Sequence, residues 1–171
     1  MTQIITEERW SDIVDFPGYT VSDWGRVHNA RSNLYVTPTK KKTGYLMVGL
    51  MKDSVQHKRS LPVLVACEYL PPPKNEVFDT PIHLDGDRSN CHYSNLMWRP
   101  LWFARRYMKQ FNDNHVTCDK PIEDVETGEQ YENSMHAAMV NGVLDNEIVL
   151  SMHNNNYVWP TGQIFRKAIV R

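Results

Sequence analysis

The sequence predicts an α+β chain in which short antiparallel strand pairs alternate with helices. Three stretches carry that expectation. Tyr19-Thr20-Val21-Ser22 has strand alternation and runs into Asp23-Trp24-Gly25 turn chemistry, with Arg26-Val27-His28 able to return as the paired strand. Residues 81–111 read as strand, polar loop, strand, basic helix. Residues 122–159 read as a hairpin, two helices and a closing strand.

Taken in order, Lys40-Lys41-Lys42-Thr43-Gly44 is a basic turn and Tyr45 to Leu50 a further strand. Ser60 is placed to cap a helix in which Pro62 is tolerated, because first-turn N–H groups have no helical partner. Leu61, Leu64, Val65 and Tyr69 share one face of it, and Pro71-Pro72-Pro73 stops it. Pro81 to Leu84 looks extended, Asp85-Gly86 turns, and Asn95 to Trp98 returns before a helix over Leu101 to Phe111. Farther on, Ile122–Val125 and Glu129–Tyr131 flank Thr127-Gly128. Asn133 or Ser134 caps one helix, Gly142 ends it, and Asp145 caps a second through Met152, a helix-turn-helix spacing. Tyr157-Val158-Trp159 is expected to close the sheet, and Asn154-Asn155-Asn156 to supply left-handed turn residues.

Composition narrows the possible functions. The 171 residues suffice for one good core or two small ones. No stretch approaches the roughly 20 apolar residues of a membrane-spanning helix. Residues Met1 to Glu8 lack the basic and apolar regions of a secretory signal. Cys67, Cys91 and Cys118 form no CxxC pair, so neither a disulfide framework nor a zinc knuckle is expected, and a reducing cytoplasm fits. The net charge of −1 hides an uneven distribution: Lys40 to Lys109 holds twelve Lys/Arg against six Asp/Glu, whereas Pro121 to Phe165 holds seven acids and no Lys or Arg. The middle of the chain suits a polyanion and the C-terminal part does not.

Three stretches together resemble the HNH homing endonucleases of bacteriophages. Trp10-Ser11-Asp12-Ile13 with Gly18-Tyr19, Val21-Ser22 and Gly25-Arg26-Val27 is similar to their N-terminal nuclease-associated module. Leu64-Val65-Ala66, His83-Leu84-Asp85-Gly86-Asp87, Asn90 and Asn95-Leu96-Met97-Trp98 resemble the ββα-metal core. Thr127 to Ser134 with Ala137-Ala138 resembles the C-terminal repeat that ends in a helix-turn-helix. The resemblance implies three modules: a β-rich one over 1–55, an HNH-like core over 56–114, and a hairpin with helix-turn-helix over 115–171.

It also implies a chemistry. In that family the strand-end histidine, here His83, acts as general base, and a hard divalent cation such as Mg2+ takes oxygen ligands. This chain departs from the pattern: Ile82 stands where the first ligand is usual, Ala104 lies nearest the second, and Pro62-Val63 replaces a His-Arg pair. Asp85, Asp87 and Asn90 are the substitute ligands available to an active enzyme; an inactive protein needs no cofactor. Losing the metal removes several kcal/mol of transition-state stabilisation. The expected function is therefore a nuclease-derived protein that binds DNA or structured RNA, with cleavage impaired. The alternatives are an active Mg2+-dependent nicking enzyme and a phage factor that contacts a host protein through its acidic C-terminal module. The phosphate-facing candidates are Lys40, Lys41, Lys42, Lys52, Lys58, Arg59, Arg88, Arg99, Arg105, Arg106 and Lys109. Trp102 and Tyr107 are candidate stacking surfaces for bases, with core packing the stronger expectation for Trp102.

Overall fold

The computed structural model describes residues 7–112 and 117–168, so the N-terminal segment read for a secretory signal lies largely outside it. Contacts group the chain into two units, one of residues 7–83 with 87–100 and the other of 84–86 with 101–168.

The first unit begins with an antiparallel meander, β1 (Trp10–Asp12), β2 (Tyr19–Ser22), β3 (Val27–Asn29) and β4 (Leu34–Tyr35), in that spatial order. The period-two alternation decides its faces: Tyr19, Val21 and Val27 point into the core, and Trp10, His28 and Tyr35 cluster on the other side beneath the Arg26 guanidinium. The turn between β2 and β3 needs glycine. Gly25 has φ +80, and a Cβ there would stand 2.7 Å from the Cys91 Cβ.

Next come β5 (Thr39–Lys40), β6 (Leu46–Lys52) and β7 (Val55–Ser60), a three-stranded sheet in that order. Asp53 and Ser54, both at positive φ (50 and 61), form the two-residue link of the β6–β7 hairpin. Helix α1 (Leu61–Tyr69) starts directly after β7, with Pro62 in its first turn as expected; the Ser60 side chain makes no capping bond. Leu61, Val65 and Ala66 pack with Val21, Val48, Leu50, Cys91 and Leu96 in one core that runs across the sequence boundary at residue 55. Each fully buried aliphatic side chain there contributes about 1.5–3 kcal/mol. Strands β8 (Thr80–His83) and β9 (Leu96–Arg99) pair antiparallel, with Ile82 opposite Met97 and His83 opposite Leu96, joined by a loop that ends in a 3-10 turn at Tyr93–Asn95.

The second unit holds α2 (Leu101–Lys109), β10 (Ile122–Asp124), β11 (Gln130–Tyr131), α3 (Ser134–Asn141), α4 (Asp145–Asn154) and β12 (Phe165–Lys167). Asn133 caps α3, its Oδ1 accepting from the His136 N–H at 2.7 Å, and Gly142 ends it at φ 58. Leu144 rather than Asp145 occupies the cap of α4, and Asn155 closes that helix in the left-handed region. The closing strand is β12, in a sheet ordered β11-β10-β12; Val158 makes only an isolated bridge to Gln163. Ile122, Ala137, Ala138, Ile148 and Phe165 form this unit's own core. Among the described residues no helix is long and apolar enough to cross a membrane.

Candidate functional site

Strand β8 delivers His83 as its last residue, and the side chain is 0% exposed. Its Nε2 lies 3.9 Å from the Cys91 Sγ and its ring centroid 5.9 Å from that of Tyr45. Burial, and then the Asp87 carboxylate, push the Cys91 thiol up to about 12, so it stays protonated beside the imidazole. On the far side of Tyr45 the Arg88 guanidinium stacks 4.6 Å from the ring centroid and donates to the Thr43 carbonyl.

Within the loop between β8 and β9, several polar side-chain atoms bond to the loop's own backbone. The Asp87 Oδ1 accepts from the Ser89 N–H at 2.8 Å, the Asn90 Oδ1 accepts from the His92 N–H at 3.4 Å, and the Asn95 Nδ2 donates to the Asn90 carbonyl at 2.9 Å. Such bonds are turn chemistry. They bear on whether the residues present fit a divalent cation. Ile82 and Ala104, at the positions where the resemblance puts ligands, are hydrocarbon and 1% and 2% exposed. Among the described residues no three His, Cys, Asp or Glu side chains gather to hold a metal ion. The donor set does not match the oxygen-rich shell that Mg2+ requires.

Cations are gathered more clearly. The basic turn at 40–44 lies against the β8–β9 loop: the Lys40 Nζ donates to the Ser89 Oγ at 3.1 Å and Arg88 reaches Thr43. Lys40, Lys41, Lys42 and Arg88 thus come to one ledge. Lys52 and Arg59 flank the Phe16 ring, at 5.9 and 4.9 Å from its centroid. The β6–β7 register puts Lys52 and Arg59, but not Lys58, on one face. Arg59 pairs with Val48 and Lys58 with Gly49, so the pleat sends Lys58 to the opposite side.

In the second unit, α2 buries Phe103, Ala104, Tyr107 and Met108 and exposes Arg105, Arg106 and Lys109. Arg105, Arg106 and Lys109 thus form an exposed basic ridge on α2, which the phosphate-facing candidate Arg99 does not join. Arg99 precedes the helix, is 7% exposed, and donates to the Trp98 carbonyl at 2.9 Å. The Arg106 Nη1 lies 3.7 Å from the Glu147 Oε1. The two aromatic expectations exchange places: Tyr107 is buried and its hydroxyl donates to the Leu84 carbonyl at 2.9 Å, whereas Trp102 is half-exposed against Trp159 and Phe103. Gly86, at φ +77, leaves room for the Phe111 ring, which a Cβ would meet at 2.5 Å.

Sequence reasoning missed Tyr45 and Cys91, which lie beside His83 within the first unit. Tyr45 read only as the start of a strand and Cys91 only as a redox marker. Neither carries a signal until β6 and the β8–β9 loop are folded together.

A histidine closes the first of two antiparallel strands and is followed by an Asp-Gly turn and an Asn-Leu-Met-Trp return strand, the arrangement on which the resemblance to HNH proteins rests. No family model matches the chain. Two uncharacterized HNH endonucleases of Acanthamoeba polyphaga mimivirus do: one is 32% identical over 80 residues, 47% of this chain, and the other 27% identical over 116 residues, 68% of it. The chain spans only 24% and 29% of those relatives' lengths. Among solved structures, one described as DNA binding and cleavage by the HNH homing endonuclease I-HmuI matches in fold. Its TM-score is 0.55 at 21% identity, over 95% of this chain and 99% of that one. The chain is thus similar in sequence to proteins named HNH endonucleases and in fold to an HNH homing endonuclease.

Proposed function

We propose that this chain is a nucleic-acid-binding protein of nuclease descent, which grips a polyphosphate with the cations of its middle segment while metal-dependent cleavage is crippled. One observation carries the reading: Ile82 and Ala104 place buried hydrocarbon where the family holds its cation, and the His83 imidazole beside Ile82 is itself 0% exposed. A general base has to reach water or substrate within hydrogen-bond distance, and a Lewis-acidic ion needs oxygen ligands. Phosphate binding asks less. The ledge of Lys40, Lys41, Lys42 and Arg88, the Lys52–Arg59 pair, Lys58, and the ridge of Arg105, Arg106 and Lys109 supply exposed or half-exposed cations in both units. Duplex DNA is the first target to test, since the structural neighbour binds and cleaves DNA; structured RNA, ribosomal RNA included, is the second. The protein would act in the cytoplasm of a host bacterium.

Purified protein is incubated with supercoiled plasmid and Mg2+ or Mn2+. Gel retardation without conversion to nicked circle is the expected result. Nicking that disappears in His83→Ala would overturn the impaired-cleavage half and favour an active enzyme, with Asp85, Asp87 and Asn90 turned toward the ion. Failure to retard plasmid, duplex oligonucleotide or folded RNA would overturn the binding half.

A further inference from the structure

Two tryptophans stand half out of the surface beside the α2 ridge. Trp102 is 50% exposed and Trp159 40%, although tryptophan is a residue that folding buries heavily on average. Their ring centroids are 5.1 Å apart with the planes 37° to each other, and the fully buried Phe103 ring packs against both, at 5.7 and 5.2 Å. The pair is thus seated on a buried ring while keeping accessible surface. Helical geometry fixes its neighbours. At about 100° per residue, Arg105, Arg106 and Lys109 lie within about 60° of Trp102 around α2, so one exposed stripe carries the indole and three cations within about 11 Å of axis. Leu101 to Asn112 contains no Asp or Glu. Glu147 of α4 brings a carboxylate to the stripe, 3.7 Å from the Arg106 Nη1, and three cations against that one acid leave the face positive.

We propose that this face takes an unpaired stretch of nucleic acid, with a base stacking on the Trp102–Trp159 pair and the adjoining phosphates lying along Arg105, Arg106 and Lys109. The inference rests on the nucleic-acid reading above and narrows it for the second unit. Bases in a duplex already stack on one another and offer a protein only their edges and phosphates, so a duplex would engage the cations and leave the indoles idle. A base in a single strand, a loop or a bulge presents its face, and aromatic side chains bind such faces with little regard to sequence. Tryptophan and arginine also suit a protein partner. Three cations within two turns of helix, with no acid among them in the sequence, favour the polyanion.

The test uses the full chain and three fluorescein-labelled probes of equal length: oligo(dT), oligo(U) and a DNA duplex. Anisotropy should show Trp102→Ala weakening both single strands about tenfold, the equivalent of ~1.4 kcal/mol, while binding the duplex as the parent does. Trp102→Phe, which keeps a stacking ring, should recover most of the loss, and Arg105→Ala/Lys109→Ala should weaken all three probes. Whichever of oligo(dT) and oligo(U) binds more tightly identifies the strand as DNA or RNA. Because Trp102 also packs on Trp159 and Phe103, circular dichroism melts check that the variants fold. The parent itself is irradiated on strands carrying 5-iodouracil, and mass spectrometry should map the adduct to Trp102 or Trp159. The proposal is overturned if the adducts fall only elsewhere, or if Trp102→Ala, folded as the parent is, binds single strands unchanged or loses duplex equally. Either result with duplex still bound removes this proposal and leaves the nucleic-acid reading standing; failure of every probe to bind removes both.

Discussion

The α2 ridge permits a quantitative prediction, because the structure separates its cations by availability. Arg105 and Lys109 are exposed, Arg106 sits 3.7 Å from Glu147, and Arg99 is buried. Each phosphate neutralised on a duplex contributes about 0.9 to the slope of log K against log salt, so Arg105→Ala/Lys109→Ala should flatten that slope by roughly 1.8. Over a fourfold rise in salt, that difference closes roughly a tenfold gap in affinity between parent and variant. Arg106→Ala should flatten it by less, since a carboxylate already offsets part of that charge, and Glu147→Gln should steepen it. Arg99→Ala should cost stability and leave the slope alone. Anisotropy of a labelled duplex across a sodium chloride series reads all four. A slope unchanged in Arg105→Ala/Lys109→Ala would remove the ridge from the binding face, whatever the affinity at one salt concentration.

Three further outcomes are expected. Gly25→Ala combines a positive φ with the close approach to Cys91 and should lose about 2–4 kcal/mol, whereas Gly128→Ala, at φ +74 with nothing within 4 Å, should lose only about 1–2; equal losses in urea unfolding would refute the packing argument. Cys91, its thiol pushed up to about 12, should resist iodoacetamide near neutral pH until the protein unfolds, while exposed Cys67 is alkylated; mass spectrometry showing both labelled at the same rate would contradict the buried pairing with His83. Burial raises the Glu147 pKa, with Arg106 pulling it back. That stability contribution is full below the unfolded value of about 4.3 and is lost as pH rises through the folded one. Glu147→Gln should therefore flatten the fall in thermal stability on going from about pH 4 upward, and an unaltered profile would refute the assignment.

The strands and helices with local signals were legible. Tyr19–Ser22, the Pro62 helix start, the Asn133 cap and the Gly142 stop each depend on residues within one turn or one strand, and the structure places them there. Strand β7 was not legible as a strand: Val55-Gln56-His57-Lys58-Arg59-Ser60 is almost wholly polar, and it forms because β6 supplies the partner and Asp53-Ser54 the turn. The faces of cations and aromatics were legible only in part, for a related reason. Sequence fixes that Lys58 and Arg59 alternate, but not which of them shares the side of Lys52 and Phe16 until register is known. The same holds on α2, where a buried stripe of Phe103, Tyr107 and Met108 takes Tyr107 inward and leaves Trp102 at the surface.

The departures at Ile82 and Ala104 gain meaning when set beside the loop between β8 and β9. A loop built to hold a cation would turn its carboxylates and amides toward that ion. Here the Asp87 and Asn90 oxygens accept backbone N–H bonds, and Asn95 ties the loop to the Asn90 carbonyl. The loop is held by its own turns and by Lys40 and Arg88 reaching across the basic ledge, contacts that need no cation. The side chains that hold this region, Lys40 and Arg88, are thus also those of the proposed phosphate-binding ledge.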